Sequence, residues 1–144
     1  MDLSSLVLCE AQPRHFDAIV RIEKEAGGSS LVVLTRGHAL AEAIERGHYV
    51  TVATIDGDVA GWIWFGADMA RGAEEVGYIY RVGVTRPYAG SGVGKSLLTH
   101  AHSTLAARGV TRVRATVDAD NEDGRAFFES RGYRMDAVTL ERAL

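Results

Sequence analysis

The chain has 144 residues, a length that suits one domain and lets roughly two thirds of the unfolded surface be buried without metal or disulfide support. A single cysteine, Cys9, excludes an internal disulfide framework and fits a reducing compartment, and 47% hydrophobic with 24% charged residues excludes wholesale disorder. Sixteen basic against nineteen acidic side chains leave a formal charge of −3, so no net field draws the protein to nucleic acid or anionic lipid.

Residues Met1 to Glu10 lack the basic region of a secretory signal, and Ala60 to Ala67 falls far short of the ~20 apolar residues that span a bilayer. A cytoplasmic protein is expected, with one domain over residues 1–144. Leu6 to Cys9 reads as a first strand. Pro13 suits a helix's first turn, Phe16, Ile19, Val20 and Glu23 continue a helical period, and Gly27-Gly28 stops it. A second helix is predicted from about Gly37 to Arg46. Strands follow at Tyr49–Ile55 and Val59–Phe65, joined by the hairpin signal Asp56-Gly57. Asp68 to Ala73 reads as a loop, Glu75 to Val84 as a long strand, and Gly92 to Arg108 as an amphipathic helix stopped by Gly109. Thr111 to Val117 is a predicted strand, Asn121 a cap for a short helix to Ser130, and Tyr133–Met135 with Val138–Leu144 a closing strand pair. The order implies a mixed sheet covered on both faces.

The most informative segment runs from Val82 to Leu98. A strand leads through Arg86-Pro87-Tyr88 into a turn carrying Gly90, Gly92 and Gly94, and a helix follows at once. Glycines let backbone approach a ligand closely, and the free N–H groups of a helix start favour an anion. A phosphate or pyrophosphate site is the physical expectation. Ala89 to Ser96 nearly satisfies the P-loop pattern, with Ala89 where the first glycine belongs. Arg86-Pro87-Tyr88 nevertheless separates strand from turn, and the 48 residues after Ser96 are too few for the remaining strands of a nucleotide site. A dinucleotide fingerprint started at Gly90 places its third glycine on Lys95 and fails.

The whole pattern resembles the GNAT family of N-acetyltransferases. Ala89-Gly90-Ser91-Gly92-Val93-Gly94 occupies the six positions of that family's acetyl-CoA-binding turn. Asn121, Ala126, Phe127, Phe128, Glu129, Arg131, Gly132 and Tyr133 resemble its second motif. The resemblance implies an α/β, three-layer α-β-α fold with a mixed, mostly antiparallel central sheet whose fourth and fifth strands splay apart to admit acetyl-CoA as co-substrate, with no metal. It implies that backbone groups of Val82, Gly83 and Val84 pair with the pantetheine arm and that N–H groups from Gly90 through Ser91, Gly92, Val93 and Gly94 to Lys95, with Ser96 following, hold the pyrophosphate. Asn121 would bond the pantetheine, and the segment around Phe128 would lie beside the thioester.

The implied reaction is direct attack of a primary amine, on a small molecule, peptide or protein, at the thioester carbonyl. Val82 N–H would stabilise the developing oxyanion. The sequence departs from the family pattern twice: Ala89 stands where the turn has Arg or Gln, and Phe128 where a tyrosine often protonates the leaving thiolate. Tyr78 and Tyr80, read by strand alternation as sharing a face with Val82 and Val84, are alternative acids, and Glu75 and Asp118 are candidate bases. Trp62 and Trp64 share a strand face and either wall the acceptor cleft or pack the sheet. The acceptor side would be lined by the loops 27–36 and 68–73 and the last hairpin, and such proteins often pair as homodimers. A non-catalytic acyl-CoA-binding or interaction module of the same fold is the alternative that Phe128 motivates. The five histidines lack the spacing of a helical metal site.

Overall fold

The computed structural model describes residues 3–25, 38–69 and 74–144. Strand β1 (Leu6–Glu10) is followed by a 3-10 turn (Pro13–His15) that feeds helix α1 (Phe16–Glu25). Helix α2 (His38–Glu45), β2 (Tyr49–Ile55), β3 (Asp58–Met69) and β4 (Glu75–Val84) come next. A second 3-10 turn (Arg86–Tyr88), α3 (Val93–Ala107), β5 (Val113–Ala115) and α4 (Glu122–Glu129) complete the described elements. The sheet order is β1-β2-β3-β4-β5, antiparallel from β1 to β4, with β5 parallel to β4.

Local chemistry accounts for most of these boundaries. The β2–β3 hairpin turns on Asp56 and Gly57 at φ 51° and 85°, both positive as a type I′ turn requires. Helix α3 buries Val93, Leu97, Leu98, Ala101 and Leu105 along one stripe and stops where Val110 N–H bonds back to Leu105 O at 3.0 Å. On that face they meet Ile63, Phe65 and Ile79 of the sheet and Phe128 of α4. On the opposite face Ile19 and Ile22 of α1 and Leu40 of α2 cover Val50, Val52 and Trp62. The result is helices, sheet and helices in three layers. Each fully buried side chain of this kind is worth about 1.5–3 kcal/mol relative to exposure.

Two expectations change. Asp68 and Met69 belong to β3 and pair with Val76 and Glu75, because the β3–β4 ladder runs four residues beyond Phe65. Residues 70–73, like the Gly27-Gly28 stop and the 27–36 loop, lie outside the described residues. The predicted closing strands at 133–135 and 138–144 are not formed: residues 134–144 form no regular element and are exposed, with Met135, Val138 and Leu140 at 73%, 67% and 89%. The three-residue β5 offers little edge to pair with, and apolar residues that bury nothing cannot repay the ordering of a hairpin.

A candidate active site where two strands part

Strand β4 changes partners along its length. Gly77, Tyr78 and Ile79 pair with Val113, Arg114 and Ala115, and Gly77 N–H bonds to Arg112 O at 2.9 Å. Beyond Ile79 the pairing with β5 stops while β4 runs on to Val84, held by β3 alone. Among the described residues the β4 edge from Tyr80 to Val84 therefore has no partner strand on its β5 side.

That stretch opens with a bulge. Trp64 pairs with Arg81 and Phe65 with Ile79, so Tyr80 has no partner in the ladder. The extra residue sends two consecutive side chains to the same face. Tyr80 stacks on His48 at 5.0 Å, and Arg81 Nε lies 4.0 Å from Glu23 Oε2 of α1. Val82 and Val84 turn to the other face and pack with the α3 cluster. Strict alternation, which puts Tyr78 and Tyr80 on the face of Val82 and Val84, is thus wrong. The apolar spacing Ile79, Val82, Val84, three residues and then two, is the sequence signal of that slip.

Tyr80 sits in an aromatic column, between His48 and Tyr78 at 5.0 and 6.1 Å and beside Trp64 at 5.2 Å. Its hydroxyl donates to Asp68 Oδ2 at 2.5 Å, and burial, then this bond and the carboxylate's charge, push its pKa far above the usual tyrosine value. The Tyr78 hydroxyl has no hydrogen-bond partner among the described residues. Trp62 is fully buried and donates to Glu23 Oε1 at 3.2 Å, so it packs the sheet. Burial pushes the Glu23 carboxyl up, with Arg81 and the Trp62 bond opposing.

At the end of β4, Thr85 N–H bonds to Ala60 O at 2.9 Å, and Thr85 Oγ1 and Arg86 tie the link to Glu25 at the end of α1. The Ser91 hydroxyl turns back to Tyr88 O. Gly92 is the α3 N-cap at φ 100°, a conformation other side chains adopt only at a cost. The first intrahelical bond is Ser96 N–H to Gly92 O at 3.0 Å, and no side chain caps the N–H groups before it. Those of Val93, Gly94 and Lys95 have no acceptor among the described residues, and the first turn carries no acidic residue.

Other predicted residues lie as follows. Asn121 caps α4, its Oδ1 accepting Gly124 N–H at 3.0 Å. Phe128 is in the core, edge-on to Phe127 and Tyr133. The ring beside the glycine turn is Phe127, which a Cβ on Gly94 would meet at 3.1 Å, with Val84 at 3.6 Å. Glu75 lies at the far end of β4, its carboxylate accepting two hydrogen bonds from the Arg108 guanidinium at 2.9 and 3.1 Å; at ~3.4 Å per residue it is about 24 Å along the strand from Val82. Asp118 is exposed after β5. Sequence reasoning missed Glu23, the pairing of Asp68 with Tyr80, and the bond between Tyr133 and His102 at 2.7 Å. Among the described residues no three His, Cys, Asp or Glu side chains cluster as a metal site needs. No helix of the described residues is long and apolar enough to cross a membrane.

Residues 16–133 match the family described as the acetyltransferase (GNAT) family. The N-acetyltransferase YycN of Bacillus subtilis strain 168 is 28% identical over 87 residues, 60% of this chain and 55% of that protein, so the chain spans about half that relative's length. The 5-NmdU N-acetyltransferase of Pseudomonas phage PaMx11 is 26% identical over 139 residues, 94% of this chain and 91% of that one. Among solved structures, an acetyltransferase of Trypanosoma brucei superposes with a TM-score of 0.72 at 22% identity, over 96% of this chain and 99% of the other, a likeness of fold.

Proposed function

The chain belongs to the acetyltransferase (GNAT) family, and from that premise we propose that it carries the acetyl group of acetyl-CoA to a primary amine by direct attack. The observation that carries the reading is the gap itself: an unpaired edge of β4 from Tyr80 to Val84 that leads into an uncapped helix start. An extended pantetheine arm adds to such an edge as a further strand would, through Val82 and Val84. The pyrophosphate takes the N–H groups from Gly90 to Lys95, where the helix dipole and the exposed Lys95 favour negative charge. Asn121 bonds the arm through its amide N–H, since its oxygen is held by Gly124.

The amine, with an ordinary pKa near ~10, gives up a proton through water and attacks the carbonyl carbon. The oxyanion accepts the Val82 N–H, the C–S bond breaks, and the thiolate takes a proton. Tyr80, whose hydroxyl is committed to Asp68, is a poor donor, and the hydroxyl of Tyr78, which has no partner among the described residues, fills that role. Glu75 is neutralised by Arg108 far from this point and takes no part. The acceptor is an amine on a small molecule, peptide or protein, and both relatives described above are named for N-acetylation. The protein acts in the cytoplasm, as a single domain able to form a homodimer.

Thermal shifts with acetyl-CoA, CoA and Mg-ATP in separate samples, followed by CoA thiol release across an amine panel, test this. A ligand at 100 times its Kd adds about 2.7 kcal/mol, a shift of several degrees. A shift with acetyl-CoA and turnover with an amine are expected; a shift with ATP alone overturns the reading. The second reading, a module that binds acyl-CoA without turnover, is favoured by Phe128, which has no hydroxyl and is buried. A shift with acetyl-CoA and no thiol release from any amine would select it.

A further inference from the structure

The bulge puts Tyr80 and Arg81 side by side on one face of β4, and each meets a carboxylate from a different element. Tyr80 donates its hydroxyl to Asp68 of β3, and Arg81 lies 4.0 Å from Glu23 of α1. Glu23 is 4% exposed and held by Trp62 Nε1–H, so it is a fixed buried charge rather than a mobile surface acid. An unpaired buried carboxylate is costly, which draws the half-buried guanidinium of Arg81 toward α1. Next to this pair, α1 comes so close to β4 that a Cβ on Gly83 would lie 3.0 Å from Ile22 Cγ2, 3.1 Å from Trp62 Nε1 and 3.4 Å from Glu23 Oε1.

From this arrangement we infer that Glu23 and Asp68 are positioning residues that pin the bulge from two sides and so aim the β4 backbone at the gap. Without the bulge every later side chain of β4 changes face. Val82 and Val84 would leave the α3 core, Arg81 would enter it, and the Val82 N–H would move off its line. Neither carboxylate needs to touch a reactant. The inference rests on the reaction proposed above for its kinetic consequence, but the pinning is a property of the free protein.

The test uses Glu23→Gln, which keeps an acceptor for Trp62 and removes the charge facing Arg81, together with Asp68→Asn and the double variant. Each single change is expected to lower kcat about tenfold or more, since small misplacement of a reacting group is costly, with KM for acetyl-CoA within about twofold. The double variant should lose less than the product of the two, because both act on one bulge. In Glu23→Gln the amide resonances of Arg81 and Val82 should move while those of Gly77 to Ile79 stay. Glu42→Gln, in an exposed pair with Arg46, serves as the unaffected control. Unmoved Arg81 and Val82 resonances in both single variants would overturn the inference, as would unchanged kcat. If the wild type releases no CoA with any amine, the proposed reaction fails while the resonances still decide the pinning. Should Glu23→Gln not fold, Arg81→Gln and Tyr80→Phe put the same question with milder changes.

Discussion

The two halves of β4 have the same backbone and opposite duties. From Glu75 to Ile79 the strand is paired with β3, from Gly77 onward with β5 as well, covered by Leu105, and closed by the ion pairs Glu75–Arg108 and Glu74–Arg112. From Tyr80 to Val84 it has one partner strand, a bulge, and contacts through carboxylates. A strand edge paired with a neighbour cannot also pair with a ligand, and in the function proposed above the lower half carries the packing while the upper half keeps an unpaired edge.

Changes in the two halves should therefore separate stability from binding. The largest effect falls on the packed half. Leu105→Ala removes a fully buried side chain and should cost about 3 kcal/mol in urea unfolding, with turnover per folded molecule preserved. A comparable loss of acetyl-CoA affinity in that variant would mean that the halves are not independent. Next comes the open half's helix start. Gly92→Trp, at φ 100°, should cost about 1–2 kcal/mol in stability and abolish the thermal shift by acetyl-CoA, because the backbone can no longer be approached. Normal binding by Gly92→Trp would move the pyrophosphate elsewhere.

A pH series sharpens the comparison further. Burial lowers the His102 pKa below 6.5, and burial with Arg14 does the same for His15. Below pH 6.5 the unfolded chain takes up protons that the folded chain refuses, so stability falls as the pH drops from there. Glu23 acts in the opposite sense: its raised pKa makes ionisation a cost to the folded state as the pH climbs above 4.5. His102→Gln should lessen the fall below pH 6.5 and Glu23→Gln should steepen it, both read by unfolding at fixed pH; slopes unchanged in both would remove these groups from the linkage. The smallest effect is expected for Glu75→Gln, which breaks a half-exposed pair worth about 0–1 kcal/mol and leaves turnover intact. A large kinetic loss there would return Glu75 to the mechanism.

Much of the fold was legible because its signals are local. Asp56-Gly57 marks a hairpin, the apolar stripe of α3 marks a helix, and the β4 boundaries from Glu75 to Val84 coincide with the predicted strand. The glycine turn was legible for the same reason, since Gly90 and Gly92 sit at φ 73° and 100°, angles that other residues adopt only at a cost. The face of Tyr78 and Tyr80 was misread because one extra residue inverts an alternation rule, and the closing hairpin because alternating apolar residues say nothing about whether a face exists to receive them.

The sequence by itself determined the layer order, the glycine turn with its free helix N–H groups, and the family resemblance that links them. All of these are set within a few residues of one another by periodicity, turn chemistry and steric freedom. Only the tertiary structure decided where β4 slips, which carboxylates lie against that slip, and which tyrosine hydroxyl has no partner among the described residues. Trp62 finds Glu23 across 39 positions, Tyr80 finds Asp68 across 12, and His102 finds Tyr133 across 31. Such pairings form when packed layers bring distant side chains together and burial penalises any polar group left alone, a cost that no local stretch of sequence records.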